Sequence, residues 1–126
     1  SDLSGLGVAR MQSIPFTVDV GVSSVRGALR LDDSGIVIDW RRYDMLDSPK
    51  GPLHSTVIPL DQIADIDYKN RLVGGRLIVR TKTGAALGDF PLPAGDITRL
   101  SIWVKRSHKT EAGLLAAEAT LRIAEG

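Results

Sequence analysis

Cysteine is absent from this sequence. Its absence excludes disulfides, thiolate zinc sites and a cysteine nucleophile, and it agrees with a reducing compartment. An excess of one charge is also missing. Sixteen Lys and Arg face fifteen Asp and Glu, a net charge of +1, so no global field draws in DNA or an anionic membrane. No apolar run approaches the ~20 residues that a membrane-spanning helix needs. The N-terminus has no basic stretch followed by a long apolar one, so no secretory leader is read there. A sequence that opens on Ser1 is expected to be either trimmed or a piece of a longer protein. Glutamate, finally, is missing from everything before Glu111.

That last absence divides the chain. Glu111, Glu118 and Glu125 all fall in the final stretch, where alanine is also concentrated. Glu and Ala favour helix, whereas the aspartates before them favour turns and strand ends. One helix is therefore predicted over about Lys109 to Glu125. Thr110 is its expected N-cap. Leu114, Ala117, Leu121 and Ala124 are its expected core stripe. Glu118 and Arg122 stand i, i+4 in the favourable order.

Before the helix the sequence reads as short strands. Residues 1–15 are rich in Ser and Gly and are taken as an arm; residues 16–126 are taken as the domain. The segment from Phe16 to Val22 alternates. Gly27 to Leu31 follows, with Ala28, Leu29 and Leu31 available to the core. An Asp32-Asp33-Ser34-Gly35 turn then leads into Ile36 to Trp40 as a hairpin. Tyr43 to Leu53, with Pro49, Gly51 and Pro52, is predicted as a loop. Ser55 to Leu60 returns as a strand, and Leu60-Asp61-Gln62 turns a corner. Ile63 to Tyr68 is expected to place Ala64, Ile66 and Tyr68 on one side. Arg76 to Lys82, Ala85 to Leu92 and Ile97 to Lys105 complete seven or eight strands at roughly the 8–12-residue spacing of a sandwich or barrel.

Few architectures set many short antiparallel strands before one closing helix. The residues that carry a resemblance are Gly27-Ala28-Leu29-Arg30-Leu31, Gly35-Ile36-Val37-Ile38-Asp39-Trp40, the Ile58-Pro59-Leu60-Asp61-Gln62-Ile63-Ala64-Asp65-Ile66 corner, Leu77 to Lys82, and the last strand-to-helix step. Over about residues 16 to 125 the chain resembles small bacterial members of the pleckstrin-homology-like superfamily. The resemblance implies a mainly β barrel or sandwich with a C-terminal capping helix. It also implies a binding or assembly module in place of an enzyme. Two features depart from the family: its helix tryptophan is missing, and its phosphoinositide pattern is reduced to Arg26 and Arg30 with no lysine.

The chemistry-bearing residues are sparse. Arg41 and Arg42, with Lys50 and Arg26, could grip an anion at a rim, or they could be solvated strand ends neutralised by Asp39, Asp44 and Asp47. Lys69, Arg71, Arg76, Arg80 and Lys82 form a second basic strip. No aromatic side chains interleave with it to stack bases, so no nucleic acid is expected, and charges of this kind also protect a sheet edge. Asp61, Asp65 and Asp67 lack the spacing of a calcium loop. His54 and His108 are read as surface residues outside any metal or nucleophile arrangement. Gly5-Leu6-Gly7 has Arg10 where a dinucleotide loop needs its third glycine. Trp103 is set on the Ser101 side of its strand, opposite Leu100, Ile102 and Val104, so it is expected outside and is the leading contact residue.

The sequence therefore points to a non-catalytic module for protein–protein contact or self-association. The alternative is a peripheral membrane module using Arg26, Arg41, Arg42 and Lys50 on anionic lipid. No cofactor and no metal are expected. A cytoplasmic location, free or peripheral to a membrane, is expected.

Overall fold

Alternation of apolar and polar residues builds most of this molecule. The computed structural model describes residues 13–88, 90–91 and 97–125. The strands are β1 (Ile14–Val20), β2 (Ser23–Asp32), β3 (Gly35–Tyr43), β4 (Pro49–Pro59), β5 (Ile63–Arg71), β6 (Gly74–Thr81) and β7 (Arg99–Lys105), followed by the helix α1 (Lys109–Glu125). They form one antiparallel seven-stranded sheet in the order β4-β3-β2-β1-β7-β6-β5, with β4 and β5 at its ends. The sheet is not closed. Strand number and closing helix agree with the expected mainly β class.

The two halves of the sheet meet at a seam where Thr17 pairs with Trp103 as the single register pair between β1 and β7. One core cluster fills the concave side, from Phe16, Leu29, Ile38 and Trp40 across to Leu77, Val79, Ile102 and Val104. Each such side chain contributes about 1.5–3 kcal/mol relative to exposure. The β2–β3 turn forms as expected: Asp32 Oδ1 accepts the Ser34 amide at 2.7 Å, and Gly35 takes a φ of 133°, a value that L side chains rarely adopt.

Several expectations need correction. The predicted loop from Tyr43 to Leu53 shrinks to residues 44–48, where Asp44 Oδ1 accepts the amides of Leu46 and Ser48, both at 2.9 Å. Lys50 lies on β4, not in a loop. Pro49, Pro52 and Pro59 are tolerated because β4 is an edge strand. The segment predicted as a strand from Ala85 starts instead as a 3-10 turn, Gly84–Leu87. Leu87 and Phe90 both bury, and their i, i+3 spacing suits a helical turn better than a strand. Residue 89 and the turn at 93–96 lie outside the described residues. β7 starts at Arg99, leaving Ile97 exposed. A register shift between Ile63 and Asp65 turns Ala64 out while Ile66 stays in. Ala28 sits on the convex face, between buried Leu29 and its neighbours. The arm read over 1–15 ends earlier, since β1 starts at Ile14; residues 1–12 lie outside the described residues.

The largest correction concerns α1. The helix begins at Lys109, out of a 3-10 turn over Arg106–His108, so Thr110 lies inside it and does not cap it. Its buried residues are Ala112, Leu115, Ala116 and Ala119, with Ile123 packed partly against the core. That is an i, i+3, i+4, i+7, i+11 stripe, the broad pattern of a core-facing helix. Leu114 and Leu121, expected inside, are each 59% exposed. Arg122 pins the helix: Nε donates to Glu118 Oε2 at 3.1 Å, and Nη1 donates to the Asp32 carbonyl at 3.0 Å.

Candidate binding face

The helix carries two apolar stripes, and only one is used by the core. The other comprises Leu114, Ala117 and Leu121, with Gly113 beside it. It rises next to β5, the edge strand against which α1 packs. Between them runs a shallow groove. Its central part is lined by Ile66, Asp67, Tyr68, Gly113, Ala116, Ala117, Thr120 and Leu121. It continues past Asn70, Lys109, Thr110 and Leu114. Tyr68 is common to both parts.

Local sequence explains this shape. Tyr68 stands on the concave side of β5, two residues from buried Ile66. Its ring leans over Gly75, where an added Cβ would meet the hydroxyl at 2.4 Å. The glycine thus leaves room for the ring. The Tyr68 hydroxyl is buried and has no hydrogen-bond partner, and the residue lines both parts of the groove. On the outer side of β5, Asp65 accepts from Arg80 Nη1 at 2.8 Å, and Asp67 and Lys69 are exposed. The edge holds no proline and is not covered by another strand among the described residues.

The residues singled out from the sequence lie elsewhere. Trp103 is on the convex face as expected, but half-buried. Its ring lies over Gly74, where a Cβ would meet Cζ2 at 2.8 Å, and the Arg76 guanidinium sits 5.9 Å from the ring centroid. A narrow slot beside it is lined by Thr17, Asp19, Arg76 and Ser101. Arg26 and Arg41 are register partners on the convex face, and Arg42 pairs with Lys50 across β3 and β4. Arg42 is also the register partner of buried Val25, so it and Lys50 lie on the opposite face of the sheet from Arg26 and Arg41, and the four cations do not form one basic rim. Arg26 is ion-paired with Asp47 and stacks 4.6 Å from the Tyr43 ring. Arg41 Nε donates to the Gly51 carbonyl at 3.0 Å. The adjoining hollow is lined by Asp19, Asp44 and Asp47 as well as Arg26, a surface that does not favour an anion.

Among the described residues, no three His, Asp or Glu side chains gather to hold a metal. No helix among them is long and apolar enough to cross a membrane. The histidines are less isolated than expected. His54 stacks on Trp40 at 4.4 Å, and His108 Nδ1 lies 3.7 Å from Glu111 Oε2.

Sequence reading missed the groove because it assigned Leu114, Ala117 and Leu121 to the core. The available signal was the second stripe itself: a helix with more apolar residues than one face needs has a second surface to pack. Comparison with known proteins adds no relative: the chain matches no family model, no curated protein and no solved structure.

Proposed function

We propose that this chain is a pleckstrin-homology-like binding module without chemistry of its own, and that it acts by contact with another protein or with itself. The observation that carries the reading is the coincidence of two unfilled features. The exposed Leu114–Ala117–Leu121 stripe lies directly beside the free edge of β5. An edge strand offers backbone donors and acceptors, and an apolar groove next to it offers pockets for alternate side chains. The contact face accordingly moves from Trp103 to α1 and β5.

The test is a photo-crosslinking residue introduced at Ala117 in the native host. A discrete adduct is expected from position 117 and none from exposed Ser55 on β4. Equal yields at the two positions would overturn the reading, and so would no adduct at either. The adduct mass separates self-contact from contact with a different protein.

A second reading, association with an anionic membrane, is favoured by a different observation. Leu72 and Val73 at the tip of the β5–β6 hairpin are 90% and 70% exposed, with Lys69, Arg71 and Arg76 behind them. Apolar residues ringed by cations suit the headgroup boundary. This reading expects pelleting with phosphatidylserine vesicles that falls steeply with salt. Vesicle binding that Leu72→Asp leaves unchanged would contradict it.

A further inference from the structure

We infer that the occupant of this face is a second copy of the same chain, joined by antiparallel pairing of β5 with β5 about a two-fold axis through Tyr68. The inference rests on the contact reading above and names its partner.

Charge order along the edge selects the partner. β5 runs Asp65-Ile66-Asp67-Tyr68-Lys69-Asn70-Arg71. Its acids precede Tyr68 and its bases follow it. When two such strands lie antiparallel and Tyr68 faces Tyr68, Asp67 of one copy stands opposite Lys69 of the other, and Asp65 opposite Arg71. Each pair occurs twice by symmetry. These four residues share the convex side of the strand, where directly opposed unlike charges attract and like charges repel.

Charges on an edge normally prevent self-pairing because like meets like. Here the order makes the same charges self-complementary, and it also fixes the register. A slip of two residues in one direction sets Asp67 against Asp67; in the other direction it sets Lys69 against Lys69. A slip of one residue turns the apolar side chains to the wrong face. Tyr68 at the centre is the register in which every opposed charge is unlike.

The concave side agrees. A two-fold axis perpendicular to an antiparallel sheet keeps the inner faces of both copies on one side. The α1 helices, each packed over its own β5, then come together there. The helix lines the groove with Gly113, Ala116, Ala117, Thr120 and Leu121, and with Leu114 in its continuation. Small residues at Gly113 and Ala117 let the helices approach closely, and the leucines fill the space between them. The second stripe of α1 and the charge order of β5 therefore call for the same partner in the same place.

The test is the solution mass of the full 126-residue chain, by light scattering and sedimentation over a hundredfold range of concentration. The wild type is expected to approach twice 13.6 kDa. Asp67→Lys turns two pairs from attractive to repulsive and should weaken association by about tenfold or more. The swap Asp67→Lys with Lys69→Asp rebuilds both pairs in reverse and should restore wild-type association. Both sites are exposed, so far-ultraviolet circular dichroism below the melting transition should be unchanged, which separates loss of pairing from loss of fold; the melt itself falls as the dimer dissociates. A wild type that stays monomeric throughout would overturn the inference. A dimer indifferent to Asp67→Lys would do the same, as would a folded swap variant that remains dissociated. If the chain is monomeric while position 117 crosslinks to a different protein, self-pairing fails and the contact reading stands. If position 117 crosslinks to nothing, both fail.

Discussion

Replacing Trp40 by Ala is expected to lower the unfolding free energy by about 3–5 kcal/mol, the usual loss for truncating a buried large aromatic. Trp40 is 3% exposed. Its ring meets Phe90 edge-on at 5.3 Å and stacks on His54 at 4.4 Å. Its Nε1 donates to Thr56 Oγ1 at 2.9 Å. One side chain thus ties β3, β4 and the segment after the Gly84–Leu87 turn. Domains of this size hold about 5–15 kcal/mol in all, so the variant should sit near its unfolding threshold. Urea unfolding checks this, with Trp103 as the remaining tryptophan reporter. Trp40→Phe should lose less, since it keeps a six-membered aromatic ring in the site and gives up the pyrrole part of the indole with its bond to Thr56, the bond being worth about 1 kcal/mol. A loss under about 1 kcal/mol for the alanine variant would contradict the packing described.

Gly27→Ala is the second large effect, although it adds only a methyl group. Gly27 faces Trp40 across β2 and β3, and Phe16 across β1 and β2. An added Cβ would lie 1.9 Å from the Asp39 carbonyl oxygen and 2.8 Å from the Trp40 Cα. Both are backbone atoms, so no rotamer change relieves the clash, and the strands must part. Overpacking typically costs about 1–3 kcal/mol, and rigid surroundings put this site at the upper end. The glycine lets the sheet curl between two aromatics, while Phe90 packs against both rings from within. Because Gly27 and Trp40 touch, their losses should not add. The double variant should fall short of the summed singles in the same urea assay. Additive losses would mean that the curl and the aromatic cluster are independent.

How much of this was legible in the sequence follows from what each local signal depends on. The hairpin through Asp32–Gly35 and the corner at Leu60–Gln62 were legible because turn chemistry is local. The strands with clean alternation, such as Leu77, Val79 and Thr81 on β6, were legible for the same reason. The first residues of β4 were not, because Pro49 and Pro52 read as breakers unless the strand is known to lie at an edge, and edge position is set by tertiary order. The segment at Gly84–Leu87 failed because one apolar residue in three or four resembles a strand fragment until Leu87 and Phe90 are seen to bury together. For Arg26 the sequence left an anion grip and neutralisation by nearby aspartates both open; the fold brings Asp44 and Asp47 to it. That Arg42 and Lys50 lie on the other face of the sheet depends on register, which local sequence does not carry. In α1 the error was one of choice: two stripes shared one helix, and only the position of β5 decides which faces the core.

One measurement decides which face of α1 meets the core: the double variant Leu114→Glu with Leu121→Glu, carrying the photo-crosslinking residue at position 117, followed by circular dichroism and by crosslinking. Both leucines stand outside the core, so a folded variant that has lost the adduct is expected. An unfolded variant would put these leucines in the core, and an undiminished adduct would mean that the face makes no contact.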